Sequence, residues 1–304
     1  MILFRFYMKI LLVILFAVQY TSDCCASDYT DLRDEGKRFL KEGKFADAKF
    51  KFDGAEGLAS ETEMPEITTL QNILRDSINA VYNAAYDLMG VNDEKAVIMF
   101  ERLFDKAGNP MHRNLFAQLG WSYGELGMKN KQRTLYEKGL EEGEQMSAYY
   151  LARLLQYNKE DIPTDSLLNL YKKAAYVTSS VDSVGIIYYR KKEYNKSYNW
   201  FVKNKSVFSK YWRAKMLLDA KQHSFIEDKY KADNPIDLLI DASCANNLAS
   251  AKSENRDALY YLGMLYYYAE SGDRIKRDRD KGRILILKAK DLGHPDAKRI
   301  WYNL

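Results

Sequence analysis

Small residues recur at Gly36, Ala84, Gly120, Ala152, Gly185 and Gly263, each inside a segment whose apolar residues repeat every three or four positions. A helix face with a glycine or alanine near its midpoint lets a second helix approach closely, so each segment asks for a packing partner. Counting Asp219, which stands at the corresponding place between Gly185 and Gly263, the separations run from the low thirties to the upper forties, the length of a helical hairpin with its connection and not the seven-residue period of a coiled coil. The clearest hairpin runs from Ala258 to Ala297. Ala258, Leu262, Leu265 and Ala269 share one helical face, and Gly282, Leu285, Ala289 and Leu292 share the next. One hairpin cannot hide two such faces, which predicts a stack of similar neighbours.

Only 5 Pro and 16 Gly in 304 residues leave little material for the repeated tight turns of an all-β chain, while 47% apolar content supports a substantial core. Net charge is +4, from 46 basic and 42 acidic residues, and the longest charged run is the mixed KRDRDK at Lys276 to Lys281. This balance points away from nucleic acid as a partner.

In chain order, Gly36, Phe39 and Gly43 lead to Phe45, Ala48, Phe52 and Ala55. A second pair is expected over about 73–107, after an indistinct stretch from Glu61 to Asn72 that contains Pro65. Its small position is Ala84, and Ala96, Phe100 and Leu103 form its packing face. A third pair carries Leu119, Gly120, Tyr123, Gly127, Tyr136 and Gly139; a fourth runs from Ala148 to Ala175; a fifth carries Gly185, Tyr188, Tyr194, Ser197 and Phe201. In the sixth, Asp219 stands where a small residue is expected, and the region 220–245 reads as irregular. The seventh is the hairpin from Ala258, and Gly293 followed by Pro295 predicts a helix stop and a short C-terminal capping helix that includes Trp301.

These residues resemble the tetratricopeptide repeat, in which two helices place small residues at their crossing with aromatic residues behind them. The last pair is similar to the Sel1-like subclass through Ala258, Leu262, Gly263, Tyr266, Asp278, Lys281, Lys288, Ala289, Gly293 and Ala297, with Gly282 where that pattern more usually has Ala. The resemblance spans about 29–297 and is sharpest in the first, third, fifth and seventh copies. It implies an all-α, right-handed α/α superhelical solenoid of about seven helix pairs over 26–304. It also implies an interaction scaffold that receives its partner on a concave face built from the first helix of each pair.

Residues 1–25 read as a signal peptide or an uncleaved N-terminal anchor: Arg5 and Lys9 accompany an apolar run from Ile10 to Val18 that is short for a membrane span. Cys24 and Cys25 follow, and Cys24 is a candidate lipid-attachment site, although Thr21 and Asp23 depart from the residues usual before a lipoprotein cysteine. The leader and the Lys, Asn and Tyr richness give an exported, bacterial reading: periplasmic, secreted, or outer-membrane-associated through the N-terminus. Cys244, among small residues, is expected to be a buried free thiol.

The three histidines, His112, His223 and His294, lack metal-ligand spacing, and no HExxH, CxxC, phosphate-binding glycine loop or GxSxG elbow occurs. No metal, cofactor or enzymatic activity is therefore expected. His294 reads as an interhelical turn residue and His112 as exposed. The sequons at Asn195 and Asn204 read as ordinary exposed polarity.

If the small residues face the neighbouring helix, positions three before, one after and four after them lie on an adjacent shared face. This nominates Arg33, Lys37 and Leu40; Ala117, Trp121 and Gly124; Tyr149, Arg153 and Gln156; Asp182, Ile186 and Tyr189; and Tyr260, Met264 and Tyr267. Of these, Arg33, Lys37, Trp121, Tyr149, Arg153, Tyr189, Tyr260 and Tyr267 carry the large or charged side chains suited to a concave binding face. The expected ligand is a protein or extended peptide in envelope assembly. A carbohydrate- or cell-wall-associated module, using the same rings as sugar platforms, is the alternative, and packing of the rings within the chain is the plainest competing role. The sequence leaves the oligomeric state open.

Overall fold

The computed structural model describes residues 28–105, 107–158, 162–219, 224–231, 233–244, 252–269 and 275–303. Among them are sixteen α-helices: α1 (28–41), α2 (Phe45–Glu56), α3 (Met64–Leu88), α4 (Asp93–Glu101), α5 (Leu115–Glu125), α6 (Lys129–Glu141), α7 (Gln145–Tyr157), α8 (Thr164–Lys173), α9 (Thr178–Arg190), α10 (Tyr194–Val202), α11 (Val207–Leu218), α12 (Asp228–Lys231), α13 (Pro235–Ser243), α14 (Lys252–Tyr268), α15 (Arg279–Asp291) and α16 (Pro295–Ile300). No strand occurs among the described residues. The chain divides into two compact units, 1–151 and 152–304, and the division falls within α7. Inside each unit helices pack in chain order, the serial pattern of an α/α solenoid, and α1 to α15 supply seven successive pairs once the short α12 is set aside.

The pairs are closed by a recurring interlock. A Cβ built on Gly36 would lie 2.4 Å from a ring carbon of Phe52, one on Gly120 would lie 2.6 Å from the Tyr136 ring, and one on Gly185 would lie 2.4 Å from the Phe201 ring. In each case the ring follows its glycine by sixteen residues and is buried. The glycine is thus the socket for an aromatic knob of the next helix, and both the small residue and the ring are needed to fill the same volume.

In α14 and α15 the close approach is backbone to backbone. A Cβ on Gly282 would stand 2.8 Å from the Tyr267 nitrogen and 2.9 Å from the Gly263 carbonyl oxygen. The two helices run antiparallel: Tyr267 meets Gly282 near one end, and Arg256 reaches the Gly293 carbonyl oxygen near the other. This contact accounts for glycine at 282.

Five helix ends share one scheme. After α1, α5, α6 and α15 the chain turns through a left-handed glycine, at Gly43, Gly127, Gly143 and Gly293. The next amide donates five residues back, as in Lys44 N to Phe39 O at 2.8 Å and His294 N to Ala289 O at 2.9 Å. Lys192 occupies the same position after α9 with φ 60°, without glycine's freedom. The N-terminus of α5 is capped from a distance. Its flanking Asn114 gives no side-chain cap, and Glu144 accepts from Ala117 N at 2.9 Å and from the Ser147 hydroxyl. Burial raises the Glu144 carboxyl above its ordinary range.

Several sequence expectations require correction. The second pair begins at Met64, because Ile67, Leu70, Leu74, Ile78, Tyr82 and Ala85 form one continuous buried stripe along α3. Ala85 is therefore its fully buried small residue, and Ala84 is exposed. In the sixth pair Asp219 ends α11 as its C-cap, and the buried small residue is Ala214, in a core cluster with Leu239 and Ala242 of α13. On α15 the buried face is Gly282, Ile286 and Ala289, and Leu292 is 41% exposed. Cys244 is an exposed free thiol at the end of α13, and its expected burial does not hold.

Candidate functional site

The amphipathic pattern of α9 separates two faces. Val181, Val184, Gly185 and Tyr188 are buried toward neighbouring helices, while Thr178, Ser179, Asp182, Ser183, Ile186 and Arg190 recur at helical spacing on another side. That second face lines a cavity of about 600 Å³. Gln156 of α7 and Tyr171 of α8 border it, and Lys205, Ser206, Val207 and Phe208 come from the turn into α11. The volume is that of a site for a small ligand or a few residues of peptide.

Asp182 fixes the geometry of one wall. Its carboxylate accepts from Asn204 Nδ2 at 2.9 Å, from Ser206 Oγ at 3.0 Å and from Ser209 Oγ, which ties the α10–α11 turn to α9. Asn204 also donates to the Thr178 carbonyl at 3.1 Å, and Ser206 caps α11 by accepting from Ser209 N at 3.0 Å. On the opposite wall Tyr171 donates to Gln156 Oε1 at 2.8 Å, and Ser180 Oγ donates to the Tyr171 carbonyl at 2.7 Å. Asp182 is therefore committed to the protein itself. Arg190 and Lys205 are exposed, and neither has an ion-pair partner among the described residues. The site offers an apolar floor of Tyr171, Ile186, Ile187, Val207 and Phe208, hydroxyls along one side and two uncommitted cations. Ser183 Oγ is engaged with the Ser179 carbonyl at 2.8 Å and Ser206 Oγ with Asp182, and the lining holds no imidazole or thiol. Such an arrangement can hold a ligand.

Asp182, Ile186 and Gln156, nominated by helical geometry, come together here. The eight large or charged nominees fall elsewhere. Arg33 and Lys37 converge on Glu66 at the start of α3, at 3.2 and 2.7 Å. Trp121 is half-buried near Gly90. Tyr149 is buried with its ring 5.4 Å from that of Tyr150, and Arg153, one turn on along α7, is exposed. Tyr189 packs edge-on against Trp212 at 4.7 Å and Tyr194 at 5.6 Å. Tyr260 stacks on His294 at 4.1 Å, and Tyr267 covers Gly282 with the Arg279 guanidinium over its ring. Thr178, Ser179, Ser183, Arg190, Lys205 and Phe208 were not nominated. Extending the Asp182–Ile186 face by one turn each way reaches Thr178 and Arg190, so the periodicity of α9 contained the signal.

His294 accepts from Ala297 N through Nδ1 at 3.1 Å, capping α16 from the turn between helices, and burial lowers its pKa. His112 was expected to be exposed. It is half-buried instead, stacked on Tyr82 at 3.6 Å with its pKa also lowered by burial. Both sequon amides are engaged, Asn195 with Glu227 and the buried Asn204 as described above. Residues 1–25, including the leader and Cys24, lie outside the described residues, as does His223.

No protein-family model matches the chain, and no curated protein is significantly similar to it.

Proposed function

We propose that the chain is an exported, non-enzymatic repeat scaffold of the tetratricopeptide type, which holds an extended segment of a partner protein along α9. The observation that carries this reading is the cavity itself: a preformed apolar floor bordered by hydroxyls, with Arg190 and Lys205 uncommitted at its edge. An extended peptide satisfies such a surface by burying alternate side chains on the floor and presenting polar groups to the rim. The socket-and-ring interlock of Gly36, Gly120 and Gly185 supports the repeat assignment, and the basic-then-apolar leader supports export to a bacterial envelope compartment. The carbohydrate alternative gains less support. Sugar platforms need open ring faces, whereas Tyr189 packs edge-on against Trp212 and Tyr260 stacks on His294.

The test is affinity capture from an envelope fraction of the source cells with the mature wild-type chain beside Ser179→Trp/Arg190→Glu. Both positions are exposed, so the variant is expected to keep its helical circular dichroism. A protein held by the wild type and lost by the folded variant supports the groove. Identical protein capture by both refutes its placement, and polysaccharide retention without protein favours the carbohydrate reading.

A further inference from the structure

A second cavity, of about 580 Å³, lies within the first unit among α4, α5, α6 and the turn after α4. The turn is closed by a bridge between Phe104 and Pro110 and by Met111 N donating to Leu103 O at 2.9 Å, and it presses Phe104 against Phe116 with ring centroids 5.3 Å apart. Leu119 and Leu135 complete an apolar floor. On α6, Lys131, Leu135 and Lys138 follow one another at helical spacing, so the two lysines flank the mouth on one face.

The polar groups at this cavity divide into committed and free. Tyr123 donates its hydroxyl to Glu101, so that carboxylate already has a partner, and the Lys131 ammonium stands 4.6 Å from the Tyr123 ring centroid. Among the described residues neither Lys131 nor Lys138 has an acidic side chain at ion-pair distance. The floor offers hydrocarbon and aromatic contact, and the remaining polar side chains, Asn130 and Thr134, are too few to satisfy the amides of a peptide. A ligand with an apolar tail and a single anionic head matches both parts.

The geometry points to a binding site for a free medium-chain carboxylate, with its tail against Phe104, Phe116, Leu119 and Leu135 and its head between Lys131 and Lys138. This site is independent of the groove along α9. Titration calorimetry of the full chain with dodecanoate, below its micelle concentration, tests it against dodecyltrimethylammonium, which has the same tail and the opposite charge. Dodecanoate is expected to bind and the cation not. Lys131→Gln/Lys138→Gln should weaken dodecanoate about tenfold, the joint effect of two exposed charge contacts. Thr134→Trp, at the exposed mouth, should abolish binding. All three substituted positions are exposed, and unchanged circular dichroism checks the fold. Equal binding of the two probes, an unaffected lysine variant, or no dodecanoate heat overturns the site. Retention on phosphatidylglycerol vesicles without dodecanoate binding also overturns it, and would assign the lysines to a membrane surface.

Discussion

Replacing Gly282 by Ala tests the backbone-to-backbone contact between α14 and α15. The added methyl would sit 2.8 Å from the Tyr267 nitrogen and Cβ and 2.9 Å from the Gly263 carbonyl oxygen, where ordinary contact begins at 3.4 Å. The obstructing atoms are mostly backbone, so the strain cannot be relieved by turning a side chain. The helices must separate by roughly half an ångström, which forfeits about a quarter of the dispersion attraction across the seam. Overpacking of this kind costs about 1–3 kcal/mol, and Ala returns about 1 kcal/mol through its helix propensity. With rigid backbone on the far side, the upper part of the range applies, giving a net loss of about 2 kcal/mol. In a unit of this size that lowers Tm by about 4–8 °C. Urea and thermal unfolding followed by circular dichroism measure it, with Gly54→Ala as the control. Gly54 is exposed within α2 and its nearest obstacle is the flexible end of Leu32 at 3.3 Å, so Ala should stabilise by about 0.5–1 kcal/mol there. If Gly282→Ala is as stable as wild type while Gly54→Ala behaves as stated, the close backbone contact is wrong.

Two further outcomes follow from local geometry. Lys192→Gly should stabilise the second unit by about 0.5–1 kcal/mol, since a left-handed non-glycine residue costs about 1–2 kcal/mol and glycine's looser unfolded state offsets part of the gain; urea midpoints check it. Glu144 is raised in the folded state above its ordinary 4.5, so its penalty is absent below that pH and appears as pH rises through the folded value. The stability of Glu144→Gln relative to wild type should therefore increase between pH 4.5 and 7.5, and a difference that is flat or falls with pH refutes the assignment.

The sequence exposed most of the fold because a glycine facing a ring sixteen residues on leaves a mark that substitution would erase, as at Gly36, Gly120 and Gly185. It was ambiguous where two residues could play one part. Adjacent Ala84 and Ala85 differ only in which lies on the stripe from Ile67 to Tyr82, and that stripe was hidden by the polar residues between its members. The binding face was harder to read. Positions beside each small residue share a face, but whether a ring there meets solvent or another helix depends on contacts distant in sequence. Tyr189 meets Trp212, and Tyr260 meets His294, 34 residues on. The small polar residues Thr178, Ser179 and Ser183 carry no sequence signature of their own, and only the turn anchored by Asp182 makes them a wall. His112 read as exposed because its stacking partner, Tyr82, lies thirty residues earlier.

The most direct test of the proposed scaffold is photocrosslinking in the source cells, with benzoylphenylalanine placed at residue 179 or 190 in the groove, and at 284, an exposed position on α15, as the reference. The expected result is one discrete protein adduct shared by positions 179 and 190 and absent at 284. No adduct at either groove position, or the same adduct at all three, would contradict the assignment of α9 as the surface that holds the partner.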